Sequence, residues 1–207
     1  MKNDLIIYVH GKGGSPEEAD RYREIFPRFD VIGLDYRKNT PWETRQEIHD
    51  AVRDCARRYG NLYLIANSIG AYYSMNAGSD EYITKAFFIS PIVDMERLIL
   101  DMMKWENVTE RELQEKQIIS TSFGEDLSWE YLSYVRAHPI CWNVPTEVLY
   151  GENDALTSYE TISAFAEKCR TGLTVMPKGE HWFHTAEQLS FLDHWLAEKG
   201  ADLFSDD

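Results

Sequence analysis

Residues 61–74 read NLYLIANSIGAYYS. The apolar run Leu62–Ala66 predicts a strand buried on both faces, and the small-residue stretch after Ile69 predicts a helix. Between them stands Ser68, flanked two positions away on either side by Ala66 and Gly70. A strand that turns straight into a helix brings the two backbones close, so large side chains at those flanks would clash. The turn lifts the serine hydroxyl above the strand end, beside free N–H groups and the positive end of a helix dipole.

Working outward, short apolar runs alternate with segments of helical period. LIIYV (5–9), VIGLDY (31–36), KAFFIS (85–90), TEVLY (146–150) and LTVM (173–176) bring the predicted strands to about six. Residues 42–59 place Ile48, Val52, Cys55 and Tyr59 on one helical face; residues 158–170 and 185–199 carry similar stripes. Alternation of this kind predicts a parallel sheet with helices on both faces, an α/β three-layer sandwich. One connection, about residues 92–143, is too long for a bare loop. It contains MERLILDMMKW, TERELQEKQI and WEYLSYVRAH, each readable as a helix, with Thr109 and Glu112 spaced as a capping box. The expectation is one domain over residues 1–207 carrying a helical cap, with a frayed LFSDD tail.

A serine hydroxyl needs a base to become a nucleophile at neutral pH. Asp154 follows one late strand in a G-x-x-D turn, and His181 follows the last strand, ahead of the final helix. Asp94 is the rival carboxylate. His184 is the rival base, expected inside the last helix. After the first strand comes YVHGKGGS (8–15), whose glycines let backbone N–H groups turn inward. GKGGS fits neither G-x-G-x-x-G nor G-x-x-x-x-G-K-[ST], which speaks against a nucleotide site.

With A-N-S-I-G at the turn, H-G-K-G after the first strand, and the order Ser68, Asp154, His181, the chain resembles the α/β-hydrolase superfamily. Ala66 stands where that family's elbow has its first glycine. The resemblance spans nearly the whole chain, without the family's two antiparallel opening strands. It implies a triad of Ser68, His181 and Asp154, and an oxyanion hole from the N–H groups of Lys12 and Ile69. His10, Gly11 and Gly13 would form the supporting loop, with no metal or organic cofactor. It further implies hydrolysis of a small-molecule carboxylic ester through an acyl-enzyme. Amides, thioesters, carbon–carbon bonds or a non-catalytic ligand receptor of the same fold are the alternatives. Trp105, Trp129, Trp142 and the methionines of the insertion either line an acyl pocket or pack beneath the cap.

A formal net charge of −14 speaks against nucleic-acid and anionic-membrane partners, leaving a small acyl substrate as the expected one. The N-terminal run is short for a secretory signal, and no stretch approaches the roughly 18 apolar residues of a membrane span. Cys55, Cys141 and Cys169 are few, odd in number and far apart, which predicts reduced core thiols and a cytoplasmic location. Oligomeric state is not readable.

Overall fold

The computed structural model describes residues 3–204. In chain order come β1 (Leu5–Val9), α1 (Asp20–Ile25), β2 (Asp30–Gly33), α2 (Pro41–Ala56), β3 (Leu62–Asn67), α3 (Ile69–Asn76) and β4 (Lys85–Ile89). The long connection holds α4 (Met95–Trp105), α5 (Glu110–Lys116), β5 (Ile118–Ser120), β6 (Asp126–Ser128) and α6 (Trp129–Ala137). The chain then runs through β7 (Thr146–Gly151), α7 (Tyr159–Cys169), β8 (Gly172–Met176) and α8 (Ala186–Lys199).

Six strands form one sheet in the order β2-β1-β3-β4-β7-β8, every neighbouring pair parallel. Register is set from the centre: Ile7 lies opposite Ile32 on one side and Leu64 on the other. Alternate residues of one strand face opposite layers. Leu5, Ile7 and Val9 join the core beneath α2, α3 and the insertion, whereas Ile6 and Tyr8 pack with Tyr22, Phe26 and Trp195 of the opposite layer. All five are at most 1% exposed, which explains why this strand reads as an unbroken apolar run. Each fully buried Leu or Ile there contributes about 1.5–3 kcal/mol of hydrophobic stabilisation.

Helix boundaries follow local chemistry. Pro41 opens α2 where a missing N–H costs nothing, and the hydroxyl of Thr109 accepts the Glu112 N–H while the Glu112 carboxylate accepts the Thr109 N–H at 2.9 Å. The long connection, expected to be a helical cap, is not wholly helical: Gln117, at φ 66°, ends α5, and β5 and β6 then form a small antiparallel hairpin. β2 is also shorter than VIGLDY suggests, because the chain leaves the sheet after Gly33 and Tyr36 folds in beneath the β1 exit. Cys55 is buried, Cys169 half-buried and Cys141 exposed, so the three thiols are not all core residues. Of the LFSDD tail, Leu203 and Phe204 are packed, with Phe204 stacked 6.1 Å from Phe26; residues 205–207 lie outside the described range. Among the described residues, no helix is long and apolar enough to cross a membrane.

Candidate active site

Every element that carries a chemically interesting side chain ends at the same edge of the sheet. β1, β3, β7 and β8 are parallel neighbours or near neighbours, so the loops that leave their C-terminal ends converge. Ser68 sits between β3 and α3 at φ 52° and ψ −121°, in a region L-residues avoid. Gly70 makes the turn possible: a Cβ there would lie 2.5 Å from the carbonyl oxygens of Val9 and His10. That close approach sets the start of α3 against the β1 exit loop.

Asp154 and His181 are brought together by a second close approach. A Cβ on Gly151 would lie 2.6 Å from the Gly179 and Glu180 carbonyl oxygens, so glycine lets the β7 and β8 exits touch. The Asn153 N–H donates to the Gly179 carbonyl at 2.7 Å, and the Glu152 N–H to the Met176 carbonyl at 3.0 Å. The Asp154 side chain is fully buried, and its Oδ1 accepts the N–H groups of Leu156 (2.8 Å) and Thr157 (3.0 Å). Its Oδ2 faces His181 Nδ1 at 2.7 Å, and His181 Nε2 faces Ser68 Oγ at 2.8 Å. A carboxylate only accepts hydrogen bonds, so Nδ1 of a neutral His181 carries the proton. Nε2 is then left bare to take the proton of Ser68.

The rivals lie elsewhere. Asp94 caps α4, accepting the Arg97 N–H at 2.9 Å. His184 precedes α8 rather than lying within it; it stacks on Trp182 and its Nδ1 donates to the Trp182 carbonyl at 2.7 Å.

On the other side of Ser68 lies the loop after β1. His10 stacks on Tyr36 with centroids 4.3 Å apart, and its Nδ1 donates to the Gly11 carbonyl at 2.8 Å. Burial pushes the Tyr36 phenol well above its ordinary pKa, so it stays protonated and donates to the His10 carbonyl at 2.8 Å. Ile69 opens α3, where first-turn N–H groups lack intrahelical partners, and Lys12 sits at the loop apex. Neither N–H is spent on a hydrogen bond among the described residues.

Ser68 opens into a cavity of about 830 Å³. His10, Lys12, Tyr36 and Tyr73 line one side, and Leu98, Ile99, Met102 and Trp105 of α4 line the other. The insertion's aromatics therefore divide. Trp105 lines the cavity, Trp129 packs against the core, and buried Trp142 packs on Phe88 and donates Nε1–H to Thr146 at 2.8 Å. The hairpin turn also roofs the cavity through Phe123 and Glu125. Sequence reasoning missed this wall, since three-residue strands are too short to show alternation. Among the described residues, no cluster of three or more His, Cys, Asp or Glu side chains is placed to hold a metal ion.

This six-stranded parallel sheet with helices on both faces is that of the α/β-hydrolase fold. The chain superposes on Est1E from Butyrivibrio proteoclasticus with a TM-score of 0.72 at 19% identity, covering 97% of this chain and 88% of that one. A structure of Est1E with ferulic acid bound gives 0.74 at 17%, covering 97% and 89%. The Pyrococcus furiosus esterase Pf2001 gives 0.64 at 18%, covering 98% of this chain and 82% of that one. The propionate-bound thermophilic esterase Est2 from Thermogutta terrifontis gives 0.63 at 17%, covering 96% and 84%. No protein-family model and no curated protein sequence matches the chain.

Proposed function

We propose that this protein is a serine hydrolase acting on carboxylic esters of small molecules. The observation that carries the reading is the unbroken chain Ser68 Oγ–His181–Asp154 at the floor of a cavity, with Ser68 held at φ 52°. Backbone strain of this kind costs about 1–3 kcal/mol and is typical of functional positions.

In the proposed reaction His181 Nε2 takes the Ser68 proton as Oγ bonds to the ester carbonyl carbon. Asp154 holds the imidazole in its Nδ1–H form and balances the imidazolium charge. The unspent N–H groups of Lys12 and Ile69 receive the oxyanion. The alcohol leaves with the proton returned by His181, giving an acyl-Ser68 ester. His181 then removes a proton from water, the resulting hydroxide attacks the acyl carbon, and Ser68 is released protonated with the carboxylic acid. No step calls on a metal or an organic cofactor.

The α4 wall of Leu98, Ile99, Met102 and Trp105 suits an apolar acyl or aryl group. The solved relatives point the same way: Est1E holds ferulic acid and Est2 propionate, both carboxylic acids of the type ester cleavage releases. A fluorophosphonate probe tests the reading. Labelling mapped to Ser68 by mass spectrometry, and lost in Ser68→Ala, is the expected result. A folded wild type that resists labelling would rule out an activated serine.

A further inference from the structure

The N–H proposed to receive the oxyanion belongs to the least supported part of its loop. His10 is held by Tyr36, and the Gly14 N–H donates to the Gly11 carbonyl at 3.2 Å. Between them Lys12 and Gly13 are exposed. Gly13 has φ +74° and open space where a Cβ would be. A lysine between two glycines has a soft backbone, because glycine permits both signs of φ at little cost. Pre-organised donors stabilise an oxyanion only if they already point at it, so a soft apex is a weakness in such a site.

Among the described residues, the one side-chain bond that ties this apex runs from Lys12 Nζ to the Glu125 carboxylate, 113 positions along the chain. Glu125 is itself firmly set at the hairpin turn. Its N–H donates to Thr121 Oγ1 at 3.0 Å and its carbonyl accepts the Thr121 N–H at 3.0 Å. Next to it, β6 is anchored by Leu127, which is buried in the core. At the turn's other side the Ser122 N–H donates to Glu106 at 2.9 Å, and Phe123 packs edge-on against Trp105 at 5.9 Å. The turn is thus a strap across the cavity mouth, fastened to α4 at one rim and to the β1 exit loop at the other.

We propose that Glu125 is a positioning residue of the oxyanion hole: through the Lys12 ammonium it holds the loop apex so that the Lys12 N–H points at Ser68. The inference rests on the hydrolase reading above. Its size is bounded by exposure, since the Lys12 and Glu125 side chains are 63% and 39% exposed. Solvated pairs of this kind are worth at most about fivefold in an equilibrium, far below the roughly 10²–10³-fold effect of deleting an oxyanion donor.

The test uses the full chain with an activated acetate or butyrate ester. Glu125→Gln keeps the side-chain shape and removes the charge. It lowers kcat about two- to fivefold at low salt and leaves KM unchanged, because the hole acts on the transition state rather than on bound ester. The wild-type advantage shrinks toward unity near 1 M NaCl, where charges are screened within about 3 Å. Glu125→Asp keeps the charge within reach of the flexible Lys12 ammonium and recovers part of kcat at low salt. Unchanged kcat in Glu125→Gln, a loss confined to KM, or a Glu125→Asp no better than Glu125→Gln would overturn the inference, the last two assigning Glu125 to the cavity wall alone. If wild type is not labelled by fluorophosphonate, the hydrolase reading falls and takes this inference with it. If wild type is labelled and turns over while Glu125→Gln matches it, only the inference falls.

Discussion

Asp154 shows how much one buried side chain is asked to do. Its carboxylate is fully buried, and both oxygens are occupied, Oδ1 by two backbone N–H groups and Oδ2 by His181. Asp154→Asn keeps the shape and lets the amide oxygen accept the backbone N–H groups. Its NH₂ then faces His181 Nδ1, which must become the acceptor, and the Nε2 proton is left pointing at Ser68. Under the proposed mechanism, ester turnover falls by about 10³–10⁴-fold with little change in thermal midpoint. A variant within tenfold of wild type would remove Asp154 from the mechanism. The positions of Ser68, Asp154 and His181 were legible from neighbours in the sequence: small residues around the serine, and strand ends before the other two. What the neighbours could not supply is contact. The 2.7 Å approach of Asp154 to His181 depends on Gly151 lying against Gly179, a packing fact between residues 28 positions apart.

Elements differ in how far local chemistry determines them. MERLILDMMKW reads as a helix and is α4, residue for residue, because its apolar stripe, its Asp94 cap and its core coincide. The helix α5 is only seven residues long and mostly exposed, so its cap carries a large share of its stability. Thr109→Ala removes the hydroxyl half of that capping box, leaving the residue-109 N–H to the Glu112 carboxylate, and costs α5 about 1 kcal/mol. Faster amide exchange over residues 110–116, with unchanged exchange in β3 and β4, is the expected readout; uniform change would mean that α5 does not open separately. The insertion is further joined by Arg136 of α6, which bonds Glu110 of α5 at 2.8 Å and Glu96 of α4 at 2.7 Å. Those two carboxylates, Glu110 foremost, push the guanidinium pKa up. By contrast, the β5–β6 hairpin left no periodic signature, and its place over the cavity is a tertiary matter.

At the scale of the whole molecule, 35 acidic against 21 basic residues give a net charge of −14, and the folded chain confines that charge. Self-repulsion favours the expanded state, and the Debye length falls from about 30 Å at 0.01 M salt to about 8 Å at 0.15 M. The thermal midpoint at pH 7 therefore rises as NaCl is added over that range. A falling midpoint would mean that exposed ion pairs outweigh the repulsion. The sequence by itself determined the layered α/β architecture, the six strands of the main sheet and the turn that presents Ser68, because hydrophobic period and steric need at a tight turn act between near neighbours. Tertiary structure alone decided that Asp154 and His181 touch, which aromatics line the cavity, and which segment reaches across to Lys12. Those outcomes depend on packing between strand ends far apart in sequence, where no local pattern carries the information.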